Sequence, residues 1–521
     1  MRRREFLSFT GRAALGLAAA SPLGWLTGCG EQSASESSLQ ALRRSMRGRV
    51  ILREDGAFAT ARLPYNPRFD LPRPLAVAYP IDAEDVATAL AWARDHAVRF
   101  TARCGGHSYA GYSTSDGLVI DLGAISTVAV NVDDGVAVVG AGARLIDAYA
   151  AVGADNLGLA AGSCPTVGIS GLTLGGGLGL ISRCYGLTSD NLLQLTLVTA
   201  DGAVRRCDAA NETDLFWACR GGGGGNFGIA TSFAFRVHPI ARVAYFRIAY
   251  PWSAAARVVE SFDALVQSGP DELMTICKLA RPAQADGSPP PEPLVVVLGQ
   301  YVGSEDEMRE VIAPLLDPAL GTPTATSFDS GSFLDASRYW AGCEDLSIAQ
   351  CHRRGRLPGT TPDGVLARVA YKAKSQFYDA PLDRDGIATA MAWIEARSDD
   401  PRLRGEGALQ IDAWGGALNR VAADATAFVH RRAHTHGQFL AGWRADDPPD
   451  VAIANLEWIG AFYADMQPFA SGEAYQNYID PDLADWPRAY YGTNLERLMA
   501  IKQRVDPDGV FDFAQGIPRL G

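Results

Sequence analysis

No stripe of lysine and arginine runs through this 521-residue chain, whose formal net charge is −12. Neutralising a phosphate backbone needs clustered basic side chains, so a nucleic-acid partner is excluded. There is no internal repeat and no long low-complexity tract. With 47% hydrophobic and 20% charged residues the composition is that of a globular protein long enough for two domains. The glycine run 221–225 is followed by no Gly-Lys-Ser/Thr, which excludes a P-loop. Val139-Gly140-Ala141-Gly142-Ala143-Arg144 imitates a dinucleotide-binding turn but lacks its third Gly or Ala. No acidic strand end follows at the expected distance either, so a Rossmann NAD site is excluded. Histidine is scarce, at seven residues. His430, His434 and His436 come nearest to a metal cluster, yet no Glu follows His430 as a zincin helix requires. Arg431 and Arg432 beside them predict a solvated helix face, and no metal is expected.

What the chain does have is glycine, 55 residues of it, concentrated in a few loops. The first loop reads Arg103-Cys104-Gly105-Gly106-His107-Ser108-Tyr109. The second reads Ala161-Gly162-Ser163-Cys164-Pro165-Thr166-Val167-Gly168 and runs into Gly171 and Gly175-Gly176-Gly177. Glycines let backbone approach a ligand closely, and runs of them offer several N–H groups to an anion such as a pyrophosphate. Each loop also carries one nucleophile. An imidazole in one and a thiol in the other can hold a cofactor covalently at two points.

Around these loops the pattern is mixed. Leu75–Tyr79 reads as a strand, and Asp82–Asp95 as a helix with Asp82 as its N-cap. Leu118–Leu122 and Gly135–Val139 read as short buried strands, Leu192–Thr199 as a strand ending in an Asp201-Gly202 hairpin turn, and Ser232–Val237 as another. Around Pro239 the character changes. From Val243 to about Met466, strand-like runs such as Leu294–Leu298 alternate with helical ones such as Ile387–Arg397. Loops read as Pro- and Gly-rich interrupt them at Asp286–Pro293 and Ala445–Asp450. A second α+β domain, an antiparallel sheet backed by helices, is expected there to hold the substrate. Within it, Gln410, Asp412 and Trp414 fall on one face of a strand by period-two alternation.

At the two loops the chain resembles the berberine bridge enzyme-like family of FAD-linked oxidases. In that family the His of an Arg-x-Gly-Gly-His loop and the Cys of a Gly-x-Cys-x-x-Val-Gly loop both bond to the isoalloxazine ring, and His107 and Cys164 match those positions. The resemblance covers about nine-tenths of the chain. It extends to the glycine run leading into Asn226-Phe227-Gly228-Ile229, and to Ala474-Tyr475-Gln476-Asn477-Tyr478-Ile479-Asp480 near the end. It implies an α+β, two-domain FAD-linked oxidase fold. In this fold a flavin-binding domain (46–240) is discontinuous, completed by the C-terminal segment 467–521, and a substrate domain with an antiparallel sheet occupies 241–466. FAD, covalent through His107 and Cys164, is the implied cofactor. Arg103, Cys104, Gly105, Gly106, Ser108, Gly162, Val167, Gly168, Gly171, Gly176, Gly228, Ile229, Tyr475 and Asn477 are the other residues expected around it.

The resemblance also implies chemistry. Tyr478 matches the family's catalytic Tyr, which takes the substrate proton as hydride moves to the flavin. An ordinary phenol titrates near ~10, so such a Tyr needs its pKa lowered by positive charge or hydrogen bonds. Gln410 and Asp412 resemble the Gln-x-Asp strand of the family's carbohydrate oxidases, and Tyr109 matches those enzymes too. Val167, three residues after Cys164, implies room for oxygen where a bulkier Leu is associated with dehydrogenases. Cys104 stands where Ser is frequent, and five glycines occupy 221–225 where four are usual. The expected function is oxidation of an alcohol or sugar hemiacetal carbon with release of hydrogen peroxide. The alternatives are a natural-product tailoring oxidase, forming a ketone or closing a ring, and a binding protein that keeps an inactive flavin fold.

The N-terminus reads as an address. Arg2-Arg3-Arg4-Glu5-Phe6-Leu7 has the twin-arginine pattern, and Ala13–Leu26 is apolar but too short and interrupted to span a membrane. Leu26-Thr27-Gly28-Cys29 resembles a bacterial lipobox, with Cys29 as the lipidated residue, and Glu31–Ser38 is its tether; the signal and tether fill 1–45. A folded flavoprotein exported to the periplasm or cell surface is expected. Of nine cysteines, seven remain once Cys29 and Cys164 are set aside, so at least one is unpaired; Cys343–Cys351 and Cys207–Cys219 are the pairs considered.

Overall fold

Short apolar runs build the first sheet in the computed structural model, which describes residues 34–284, 288 and 291–520. The twin-arginine segment and Cys29 lie outside the described residues, as does part of the Asp286–Pro293 loop. Strands β1 (Arg49–Leu52), β2 (Ala76–Tyr79), β3 (Phe100–Arg103) and β4 (Leu118–Asp121) pair in the order β1-β2-β4-β3. β2 and β4 are buried at every position and run parallel, as mostly apolar strands covered on both faces do; Asp121, at the end of β4, is the charged exception. The helix Ala83–Asp95 makes the crossover from β2 to β3. Asp82 caps it, its carboxylate accepting from the N–H groups of Glu84 and Asp85.

The second sheet comprises β5 (Val128–Asn131), β6 (Val136–Gly140), β8 (Leu192–Val198), β9 (Val204–Asp208) and β10 (Ile229–Arg236), with two-residue strands β7 (Leu157–Gly158) and β11 (His238–Pro239) pairing beside it. Its order is β5-β6-β10-β8-β9 and every pairing is antiparallel. The glycine turn after β6 therefore opens no parallel βαβ unit of the dinucleotide-binding kind. The hairpin from β8 to β9 turns through Gly202, at φ +82°.

Seven strands form the third sheet: β12 (Val243–Pro251), β13 (Leu273–Arg281), β14 (Leu294–Tyr301), β15 (Ala325–Gly331), β16 (Ala370–Tyr378), β17 (Gly407–Ala413) and β18 (Thr435–Trp443). They run antiparallel in the order β15-β12-β14-β13-β17-β18-β16. Alternation gives the sheet two unlike faces. Phe246, Ile248, Leu279, Ile411 and Phe439 pack with Phe262, Ile394 and Phe462 of the helices Ala255–Ser268, Arg384–Ala396 and Pro449–Met466. The opposite face carries Gln410, Asp412, His436 and Gln438. Gln410 pairs with Gln438 and Asp412 with His436 across β17 and β18.

A separate core joins residues of the first two sheets to Ala474, Tyr490, Tyr491, Leu498, Ile501 and Phe511, so the end of the chain packs with the glycine-loop region. The fold is α+β, with three sheets and helices gathered around two main cores. Three expectations change. His430, 0% exposed, and Arg431 lie in an irregular segment before β18, not on a solvated helix: His430 bonds Glu473, and both guanidinium amino groups of Arg431 donate to Asp190. The i, i+4 spacing there reports a buried polar segment. Trp414 lies one residue beyond β17, fully buried against Phe377 and Phe428. Cys343 and Cys351 form a disulfide, whereas Cys207 and Cys219 stay unpaired in the core.

Candidate active site

The two glycine loops meet because they lack side chains at the crossing. A Cβ on Gly105 would sit 2.4 Å from the Gly168 nitrogen, and one on Gly168 would sit 2.0 Å from the Cys104 sulfur. Neither is sterically allowed, so glycine alone permits this approach. β3 delivers the first loop. Arg103 at its end pairs with Asp121 at 2.5 Å and donates to the Ala61 carbonyl, and Gly106 then turns the chain at φ +76°. The second loop is pinned to the start of the helix Leu145–Gly153. The N–H groups of Leu145 and Ile146 donate to the carbonyls of Val167 and Pro165, and the Tyr149 hydroxyl donates to that of Gly162.

His107 stacks on Tyr65 with centroids 3.8 Å apart, and its Nε2 shares a 2.9 Å hydrogen bond with the hydroxyl of Thr166. The bond ties the imidazole to the second loop two residues past Cys164. Burial, then the Arg144 and Arg353 guanidinium groups, push the imidazole down to about 3. It is therefore neutral, with a nucleophilic nitrogen, across the physiological range. Cys164 is solvent-accessible yet surrounded by protein, and burial raises its thiol.

The remaining expected cofactor residues fall into two groups. Gly162, Gly168, Gly171 and Gly176 line the second loop and the short helix Ile169–Leu174, where a Cβ on Gly171 would meet nothing within 4 Å. The others serve the frame. Ser108 accepts from the Tyr112 N–H, the Cys104 sulfur lies 3.6 Å from Arg144, and Ile229, directly after Gly228, opens β10 against β8. Tyr475 and Asn477 clamp the C-terminal segment onto the glycines. The Tyr475 oxygen accepts from the Gly177 N–H and from Asn477 Nδ2, both at 2.8 Å, and Asn477 donates to the Leu172 carbonyl. The donor set fits FAD: glycine backbone open to a pyrophosphate, and two nucleophiles on facing loops for the isoalloxazine edge.

Tyr109 and Tyr478 lie face to face beside this frame, 4.9 Å apart and 8° from parallel. Gln438 donates to the Tyr109 oxygen at 2.9 Å, and Tyr371 packs edge-on against the Tyr109 ring. Gln410 donates to Asp412 at 2.9 Å, and the other carboxylate oxygen of Asp412 bonds His436 Nδ1 at 3.0 Å. The His436 ring lies 5.3 Å from that of Tyr478, and its Nε2 is buried with no hydrogen-bond partner among the described residues. All four residues expected to be catalytic are thus brought together. One expectation fails. The Tyr478 phenol is not lowered: burial, then Tyr109, Asp412, Tyr475 and Cys164, push it well above its ordinary value.

Sequence reasoning missed Tyr65, Thr166, Tyr371, Gln438 and, above all, His436. The signal for the last two was the polar alternation His436-Gly437-Gln438 inside an apolar strand, the same pattern as Gln410-Ile411-Asp412. Spacing alone groups His436 with His430 and His434, a set for which no metal is expected, and does not connect it to Asp412. In the structure each of the three histidines has its own carboxylate: Glu473 for His430, Asp263 for His434, Asp412 for His436.

With this geometry in view, the likeness to known proteins is informative. A family model described as "FAD binding domain" matches residues 74–208, and one described as "Berberine and berberine like" matches 474–518. An FAD-linked oxidoreductase of Bacillus subtilis (strain 168), YgaK, is 33% identical over 92% of this chain and 98% of its own length. The solved structure of BBE-like 1 from Physcomitrella patens superposes with a TM-score of 0.81 at 30% identity, covering 93% of this chain and 99% of that one. A chitooligosaccharide oxidase shares the fold with a TM-score of 0.79 at 24% identity, over 93% of this chain and 100% of its own. The chain belongs to the berberine bridge enzyme-like family of FAD-dependent oxidoreductases.

Proposed function

We propose that this enzyme is an exported oxidase of saccharides, acting on an alcohol or hemiacetal carbon, with FAD joined covalently to His107 and Cys164 and oxygen as the final electron acceptor. The observation that carries this reading is the polar row Gln410–Asp412–His436–Gln438 standing beside the stacked Tyr109 and Tyr478. Amides and a buried carboxylate on the face of a sheet turned away from its helices suit a ligand rich in hydroxyl groups. The shared fold of the chitooligosaccharide oxidase is in keeping with it.

Bound FAD supplies the two-electron acceptor; the protein supplies orientation and the base. As a hydride leaves the substrate carbon with both bonding electrons, the hydroxyl on that carbon must lose its proton. Tyr478 is protonated in its surroundings, so it passes a proton on rather than keeping one. It accepts the substrate proton while giving its own to the neighbouring Asp412–His436 pair, whose His436 Nε2 is buried without a hydrogen-bond partner among the described residues. Gln410 and Gln438 hold neighbouring hydroxyls. Oxygen then takes the two electrons with two protons and leaves as hydrogen peroxide, past the small Val167.

A screen of mono- and oligosaccharides for bleaching of the flavin and for peroxide tests the reading. Bleaching by none of them overturns the substrate class; bleaching without peroxide in air overturns the oxidase half. For the attachment, denatured protein is expected to stay yellow. His107→Ala or Cys164→Ala leaves one link, and the double change releases FAD. Quantitative release from the unmodified protein rules out a covalent flavin.

A further inference from the structure

Phe377, on the edge strand β16, lies between two histidine–carboxylate pairs. On one side it pairs across the sheet with His436 of β18, whose Nδ1 bonds Asp412 at 3.0 Å. On the other side the segment 471–473 lies along the free edge. The Phe377 N–H donates to the Glu473 carbonyl at 3.0 Å, and the Ser471 N–H donates to the Phe377 carbonyl at 2.9 Å. His430 stacks on the Phe377 ring at 4.3 Å and bonds the Glu473 carboxylate through Nδ1 at 2.7 Å. The His436 ring meets the same phenyl at 4.9 Å. Asp412, His436, His430 and Glu473 therefore follow one another across the end of the sheet. The row starts beside the Tyr478 ring, 5.3 Å from that of His436, and ends at Glu473, whose side chain is 31% exposed.

Each carboxylate accepts from Nδ1, which leaves Nε2 of both imidazoles with a lone pair. Both Nε2 atoms are buried without a hydrogen-bond partner among the described residues. So is the indole N–H of Trp414, whose ring lies edge-on to Phe377 at 5.0 Å and 6.0 Å from His436. Buried polar atoms are rarely left unpaired, and a site where about two to four polar groups converge holds water. Two acceptors and one donor around a single phenyl ring meet that condition. Charge is arranged for transfer as well. Burial, reinforced by His436 and Arg431, keeps His430 below its ordinary value against the pull of Glu473. Burial raises the Glu473 carboxyl, but His430 and Arg432 outweigh it, so the acid is ionised at neutral pH. We propose that this row is the proton exit of the enzyme. The proton that Tyr478 passes to Asp412–His436 leaves His436 Nε2 through bridging water and joins His430 at Nε2. His430 gives up its Nδ1 proton to Glu473, which releases it to solvent. The two electrons travel separately, as hydride, to the flavin. Reoxidation by oxygen consumes one proton from solvent, and its return along the row restores both tautomers. The proposal rests on the alcohol-oxidation reading above and adds the path by which the proton leaves.

Anaerobic stopped-flow of the FAD-loaded enzyme with phenol red in weak buffer tests it, with glucose, cellobiose and the β-1,4-linked dimer of N-acetylglucosamine as probes. Flavin bleaching and proton appearance are read together. In the unmodified enzyme one proton per flavin is expected to appear in step with bleaching. Glu473→Gln keeps an acceptor for His430 but takes up no proton, and His430→Phe keeps a ring on Phe377 but has no nitrogen. In both, the proton is expected to lag bleaching by about tenfold or more, and kcat to fall by a similar factor with KM within about twofold. Glu473→Asp, which keeps a carboxylate, recovers most of the loss. Proton release that stays in step with bleaching in either variant, whether or not both are slowed, marks a structural role. It overturns the row and leaves the saccharide reading standing. Bleaching of the unmodified enzyme by none of the three sugars overturns both.

Discussion

His107, Tyr478 and Val167 separate three roles that single substitutions can test. If Tyr478 hands the substrate proton to Asp412–His436, Tyr478→Phe slows flavin reduction by about 100- to 10,000-fold with little change in substrate affinity. Reoxidation by oxygen stays fast in that variant. Val167→Leu does the opposite, slowing reoxidation and sparing reduction. Stopped-flow kinetics resolves the two half-reactions, and reduction at the unmodified rate in Tyr478→Phe moves the base to Asp412–His436 acting without it. His107 yields a prediction about stability. Its folded value of about 3 lies below the ordinary 6.5. Between these values the unfolded chain binds a proton that the folded chain refuses, so stability of the flavin-free protein is complete above pH 6.5 and falls on acidification toward 3. His107→Gln flattens this part of the stability curve, measured by urea unfolding across the window. An unchanged slope means the imidazole already titrates in the fold.

At the level of elements, the loop crossing and the C-terminal clamp position the site. Gly105→Ala forces a Cβ to within 2.7 Å of the Thr166 carbonyl as well as against Gly168. The loops must part, and both the melting temperature and the yield of doubly linked flavin are expected to drop. Gly171→Ala is the contrasting case, since its Cβ meets no protein atom. Melting of the flavin-free chain is expected to be unchanged while FAD incorporation falls; normal incorporation would show that the cofactor does not approach this backbone. The clamp rests on charge. Lys372 and Lys374, both buried on β16, reach Asp480, two residues past Tyr478, and also Asp482. Lys374→Met removes one partner of a buried cluster and is expected to cost about 3–5 kcal/mol. Chemical denaturation measures it, and a loss below 1 kcal/mol would mean Lys372 alone holds the segment.

For the whole molecule, the export reading predicts two separable phenotypes. Changing Arg3 and Arg4 to Lys is expected to leave folded yellow enzyme in the cytoplasm, because the twin-arginine route carries folded cargo. Cys29→Ala is expected to turn membrane-associated protein into soluble exported protein by removing one lipid anchor. Fractionation of cells reads both, and membrane association that survives Cys29→Ala rules out the lipoprotein.

Local chemistry made much of this legible in the chain itself. The glycine loops with His107 and Cys164, the Asp82 cap, the Asp201-Gly202 hairpin and the alternation of Gln410 and Asp412 all depend on residues close in sequence, where spacing alone decides which groups share a loop or a face. The segment around Tyr478 was legible for a different reason, its match to a known motif. Long-range pairing was not legible. That His436 serves Asp412 is set by the register of β17 on β18, and that Tyr109 stacks on Tyr478 by the return of the last segment to the first core. The same holds for the Tyr478 phenol. Its upward shift comes from burial among Tyr109, Asp412, Tyr475 and Cys164, neighbours that only the tertiary fold assembles. Sequence determined which chemical groups the site has; packing decided which of them face one another and, through desolvation, which hold their protons.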